Sequence, residues 1–107
     1  MTEFSKRENA FEAKFKLDEE LRFKSTARRN RLLGVWAAEQ MGFNESEADA
    51  YAKEVVKSDF EEPGDDDVLR KVLADLQGKG VETSGHLLRK HMDELMEVAI
   101  EQVRSDG

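Results

Sequence analysis

Leu32 to Ala38 run for seven residues without a charge, and this stretch constrains the fold more than any other part of the chain. It lies within Arg28–Phe43, RRNRLLGVWAAEQMGF, which holds the one tryptophan, Trp36, and opens on three arginines. Leu32, Leu33, Trp36, Ala37 and Met41 recur at helical spacing, while Val35 and Ala38 widen the apolar stripe beyond the usual third of a helix surface. A helix that apolar over two turns needs cover from several neighbours. With 38% hydrophobic residues in 107, there is material for one modest core. The 38% charged fraction puts much of the remainder on solvated helix surface.

Three downstream segments supply the cover. Asn44 with Glu47 three positions later has the spacing of a capping box, and Ala48, Tyr51, Ala52, Val55, Val56 and Phe60 give an amphipathic helix that Pro63 and Gly64 end. Asp65, Asp66 and Asp67 place acid where a helix N-terminus favours it, ahead of Val68, Leu69, Val72, Leu73 and Leu76. Thr83 or Ser84 caps a last helix carrying Leu87, Leu88, Met92, Leu95, Met96, Ala99 and Val103. Gly34, in mid-helix, costs up to ~1 kcal/mol relative to alanine and implies a close helix crossing. Short connections make neighbours roughly antiparallel. The expected fold is all-α, a small four-helix bundle with helices at about 17–42, 45–61, 66–77 and 84–104 and a body over 17–107.

Residues 1–16 read differently. Residues 1–26 contain neither Gly nor Pro, Ser5 and Glu8 have capping-box spacing, and Phe4, Phe11 and Phe15 follow at steps of seven and four, one stripe of a helix. Glu12 with Lys16, Asp18 with Arg22 and Glu20 with Lys24 add opposite-charge pairs at i, i+4. Three phenylalanines recover less free energy than ordering the backbone of this segment costs. Residues 1–16 are therefore expected to form a mobile arm that becomes helical on a partner. The plain alternative is that the phenylalanines pack on the body.

The formal net charge of −7 is unevenly placed. Residues 1–31 hold nine Lys or Arg and six Asp or Glu, 9 − 6 = +3, and residues 32–107 hold eight and eighteen, 8 − 18 = −10. A basic arm on an acidic body argues against nucleic acid as a partner. Arg22, Lys24, Arg28, Arg29 and Arg31 have two readings: contact with an acidic protein surface or phosphates, or a solvated face answering the acidic body. The absence of cysteine excludes disulfides and thiolate zinc sites. No run approaches the ~20 apolar residues of a membrane span, and the N-terminus lacks a signal-peptide core, so a soluble cytoplasmic protein is expected.

Signals of catalysis are weak. The glycines at 78, 80 and 85 lack the Lys-Ser/Thr and the preceding strand of a phosphate loop. His86 and His91 stand five apart, about 140° around a helix, and do not share a metal as an i, i+4 pair does. Asp65–Asp67 read as a helix-start cluster before a magnesium or calcium site. No enzyme activity, cofactor or metal is expected.

The strings FSKRENAFEAKFKLDEELRFKSTARRNRLLGVWAAEQMGF, AYAKEVVKSDFEEPGDDDVLRKVLADL and MDELM closely resemble the zeta inhibitor subunit of alphaproteobacterial F-type ATP synthases. The resemblance implies a four-helix body with a mobile inhibitory arm that blocks ATP hydrolysis by the catalytic head. The arm enters an interface between catalytic subunits and reaches the rotor, folding into helix as it does so. The positions matching the family's arm are Phe4, Arg7, Phe11, Lys14 and Phe15, with the helix continuing through Arg22 and Arg28. It also implies catalytic and rotor subunits of the synthase as partners, a location peripheral to the inner membrane through that complex, and a monomer when free. Two further classes compete: a helical regulatory module binding a nucleotide or metal, and a helical scaffold dimerising through the face near Trp36.

Overall fold

In a computed structural model, the backbone is described for residues 2–59 and 65–106, and side chains from Glu19 onward within those ranges. Four helices follow one another: α1 (Thr2–Gln40), α2 (Glu45–Ser58), α3 (Asp66–Gly78) and α4 (Gly85–Asp106). The all-α, four-helix expectation holds, with no strand among the described residues. α1 is helical from Thr2, so Ser5 lies inside the helix and does not cap it. α2 ends at Ser58, short of the expected 61, where the Asp59 N–H turns back to the carbonyls of Val56 and Lys57. Phe60, Pro63 and Gly64 lie outside the described residues.

The helix ends follow the sequence signals. Asn44 accepts from the Glu47 N–H at 2.8 Å while the Glu47 carboxylate accepts from the Asn44 N–H at 3.0 Å, a complete capping box. At the end of α1, Gly42 takes a φ of 79°, and the N–H groups of Gly42 and Phe43 bond the carbonyls of Glu39 and Ala38. This is the Schellman arrangement, which needs a left-handed residue and so favours glycine; Gly80 repeats it after α3. Ser84 caps α4, its Oγ accepting from the Leu87 N–H at 3.2 Å.

The charge-free stretch sits at the centre of the core. Leu33, Ala37 and Ala38 are fully buried, met by Val55 of α2, Val68, Val72 and Leu76 of α3, and Leu88 and Met92 of α4. α1 touches all three other helices, whereas α2 and α4 do not meet among the described residues, so they occupy opposite corners of the bundle. Trp36 is half-buried and tilts over His91 of α4, ring centroids 4.1 Å apart.

Gly34 marks the α1–α2 crossing. A Cβ built there would stand 2.6 Å from Ala52 Cα and 3.1 Å from Ala52 Cβ. The nearest atom is backbone, so no side-chain rotation relieves the clash. Gly34→Ala gains up to ~1 kcal/mol of helix propensity but forces the helices apart at an overpacking cost of about 1–3 kcal/mol or more, and the second effect wins. The variant is expected to unfold at lower urea than the natural chain, and Ala52→Gly will not rescue it. Gly78→Ala, with nothing within 4 Å of its new Cβ, should instead be neutral or stabilising. A Gly34→Ala variant as stable as the parent would show that the crossing is looser than this geometry.

Candidate partner-binding surface

α1 is far longer than its neighbours. Its 39 residues span about 58 Å, close to the 61 Å long dimension of the molecule. The last turn of α4 reaches it at Arg28, whose guanidinium donates to Asp106 at 2.6 Å and to Gln102 at 3.1 Å. Further towards its N-terminus α1 meets α4 at Leu21, beside Met96 and Ile100, and the residues before about Leu21 project past the described part of the bundle.

Helical spacing ties that projection to the body. Positions 4, 11, 15, 22, 29 and 33 succeed one another at steps of seven and four, one continuous stripe of α1. Arg29 and Leu33 on this stripe are buried against the other helices, whereas Arg22 is exposed. Phe4, Phe11 and Phe15 thus occupy positions in register with the core-facing side of α1, N-terminal to its described buried residues. The side chains of these three, and of Arg7 and Lys14, lie outside the described residues.

Where the apolar core stops, a buried polar layer begins. Ser25 and Asn30 are fully buried and Arg29 is 2% exposed. Arg29 donates through Nε to Asn30 Oδ1 at 2.9 Å and through a terminal nitrogen to Asp65 at 2.7 Å. Asp59, at the end of α2, faces the same layer. Burial pushes its carboxyl above the usual range, helped by repulsion from Asp65 and opposed by Arg29 and the Asn30 amide. That amide does not close to hydrogen-bonding geometry, and Asn30 Nδ2 and Ser25 Oγ have no partner among the described residues.

The five-residue basic cluster divides in two. Arg28 and Arg29 answer the acidic body through Asp106 and Asp65, while Arg22, Lys24 and Arg31 stand exposed on α1. The three aspartates at the start of α3 also have a use that the sequence does not reveal. Asp65 makes no side-chain cap bond; it pairs with Arg29 of α1, Asp66 with Arg89 of α4 at 2.7 Å, and Asp67 with Arg70 within α3. One helix start thereby ties three helices together. Among the described residues no group of three His, Asp or Glu side chains is placed to hold a metal, and no helix is long and apolar enough to cross a membrane.

Sequence reasoning passed over one surface. Shallow hollows of about 280 Å³ beside Phe23 and about 300 Å³ beside Arg31 share Val56, lying along the seam between α1 and α2. Phe23, 69% exposed, is the most exposed large hydrophobic residue described. The available signal is an i, i+4 row, Phe23, Ala27, Arg31, Val35 and Glu39, off the core stripe.

Taken together, these features define a small helical protein that presents one long helix beyond its own core. The chain belongs to the ATPase inhibitor subunit zeta family, whose model matches residues 1–102. Among solved structures, one determined by solution NMR is 48% identical, covers 81% of this chain and 99% of its own, and superposes with a TM-score of 0.71. No curated protein matches the chain.

Proposed function

We propose that this chain inhibits ATP hydrolysis by the catalytic head of the F-type ATP synthase, inserting residues 1–16 at an interface between catalytic subunits and reaching the rotor. The observation that carries this is the register of Phe4, Phe11 and Phe15 with the core-facing stripe of a helix that outruns its bundle. A stripe of this kind is made to be covered, and the cover described from α4 reaches along it to Leu21, beside Met96 and Ile100. Membership in an inhibitor-subunit family, matched from residue 1, supports the reading that the cover comes from the synthase.

The phenylalanines supply apolar anchors, and Arg7 and Lys14 pair with acids lining the groove. Arg22 extends the contact to the mouth of the interface. Arg28 stands with the body: its bonds to Gln102 and Asp106 fix the end of α4 on α1.

Titrating the full chain against ATP hydrolysis by the isolated head of the cognate enzyme tests the reading. Hydrolysis is expected to fall towards zero near one chain per head while ATP synthesis by the membrane-bound enzyme continues. Undiminished hydrolysis with the chain in excess would remove the proposal.

A further inference from the structure

We propose that the furrow between α1 and α2 is a second docking site, which receives an acidic amphipathic helix of the same catalytic head. It rests on the inhibitory reading above but uses a different surface from the arm. One bank of the furrow is the i, i+4 row from Phe23 to Glu39, sixteen residue steps or about 24 Å, and the other is the outer edge of α2. The hollow beside Phe23 adjoins the one beside Arg31 at Val56, and that one adjoins a wider hollow beside Val35 and Phe43 at Asp49. The three hollows form one trough as long as four turns of helix.

Its chemistry selects an occupant. The floor is apolar, with buried Ala52 and half-buried Val56 at the centre, and Phe23 lies open at one end. Over the centre stand Arg31, Lys53 and Lys57, all exposed. Among the described residues only Asp49 answers one of them, 3.5 Å from a Lys53 that is 79% exposed. Acids stand on both sides of this cationic section: Glu19 and Asp59, with Arg22 among them, beside Phe23, and Glu39 and Glu45 at the far end. Residues 32–107 sum to −10, and against that background Lys53 and Lys57 gathered with Arg31 over an apolar floor are an exception that calls for negative charge. The length and apolar floor fit a helix laid in a groove. The charge order places that helix's acids at its middle, over Arg31, Lys53 and Lys57.

Contacts of this kind at a rim govern the rate of encounter more than the final affinity. The furrow would therefore capture the head and hold the arm close to its point of entry, raising the arm's local concentration.

The test measures association of the full chain with the isolated cognate head across a salt series, comparing the natural chain, Arg31→Glu/Lys53→Glu/Lys57→Glu, and Lys90→Glu on α4 as a charge control. The triple variant is expected to associate at least about tenfold more slowly and to lose most of its salt dependence. At saturation it should still inhibit hydrolysis fully, because the arm is intact. Association within about twofold of both the natural chain and the control overturns the proposal. So does sedimentation showing that the free chain is a dimer dissolved by the triple variant, which would assign the furrow to self-association. If the natural chain neither binds nor inhibits the head, the inhibitory reading falls and this site falls with it; binding and inhibition that the triple variant leaves untouched defeat the furrow alone. Circular dichroism checks folding, and Arg31→Glu alone carries the test should the triple variant unfold.

Discussion

A chain lacking residues 1–16 will leave ATP hydrolysis running at concentrations where the full chain stops it, and it will still fold. The second half of that statement follows from the core. Every buried residue described lies at position 25 or later, and the contacts that close the bundle, from Leu33 outward, are untouched by the deletion. Thermal melting should therefore change little, with Asp18 left near the new N-terminus where the helix dipole favours acid. The loss of inhibition follows from what the deletion removes. A buried aromatic anchor at an interface contributes about 2 kcal/mol or more, so losing Phe4, Phe11 and Phe15 shifts the half-inhibitory concentration by about four orders of magnitude. Because the truncated chain keeps the α1–α2 furrow, it should still compete weakly with the full chain for the head. Equal inhibition by both chains would move the effector role to Arg22, Arg28 or the body.

Much of the architecture was legible because local and global signals agree. Leu32–Ala38 announced a helix needing cover on several sides, Asn44 and Glu47 announced the start of α2, and Gly34 announced a close crossing; the structure supplies the core, the capping box and a crossing at Ala52 with no room for a Cβ at position 34. What stayed hidden lies where one residue type serves two ends. Arginines 28, 29 and 31 look alike in the sequence, yet Arg28 holds α4, Arg29 is buried and Arg31 faces solvent. Helical phase sets Arg29, on the stripe of Leu33, apart from Arg31 on the far side, but it gives position 28 no partner until α4 is in place. The aspartates at 65–67 were half legible: Asp66 and Asp67 lie in the first turn of α3 as the local charge pattern implies, whereas the pairing of Asp65 with Arg29 and of Asp66 with Arg89 is tertiary. The furrow is legible only once α2 is laid beside α1, since its two banks are far apart in the chain.

Removing Asp65 will destabilise the body more than neutralising Arg29, although the two form a single ion pair. The asymmetry comes from burial, Arg29 being 2% exposed and Asp65 41%. Asp65→Ala leaves a guanidinium sealed from water without its carboxylate, a cost of about 3 kcal/mol. Arg29→Met retains the bulk of the stem and leaves Asp65 free to hydrate; the main loss is the bond to Asn30 Oδ1, about 1–2 kcal/mol for a buried group left unpaired. Urea unfolding at neutral pH measures both, and in a body of this size each kcal/mol moves the thermal midpoint by about 4–8 °C. Asp59 supplies an internal check. Its carboxyl titrates above the usual range in the folded chain, so its ionised form costs stability at neutral pH, and that cost fades as pH falls through the folded value towards the unfolded one. Arg29→Met removes a charge that restrains the shift, so this variant should regain stability relative to the parent on mild acidification. Asp65→Ala removes a repulsion that drives the shift, so it should regain none. If Arg29→Met proves as damaging as Asp65→Ala and shows no recovery in mild acid, the guanidinium reaches water, and the polar layer does not seal the end of the core.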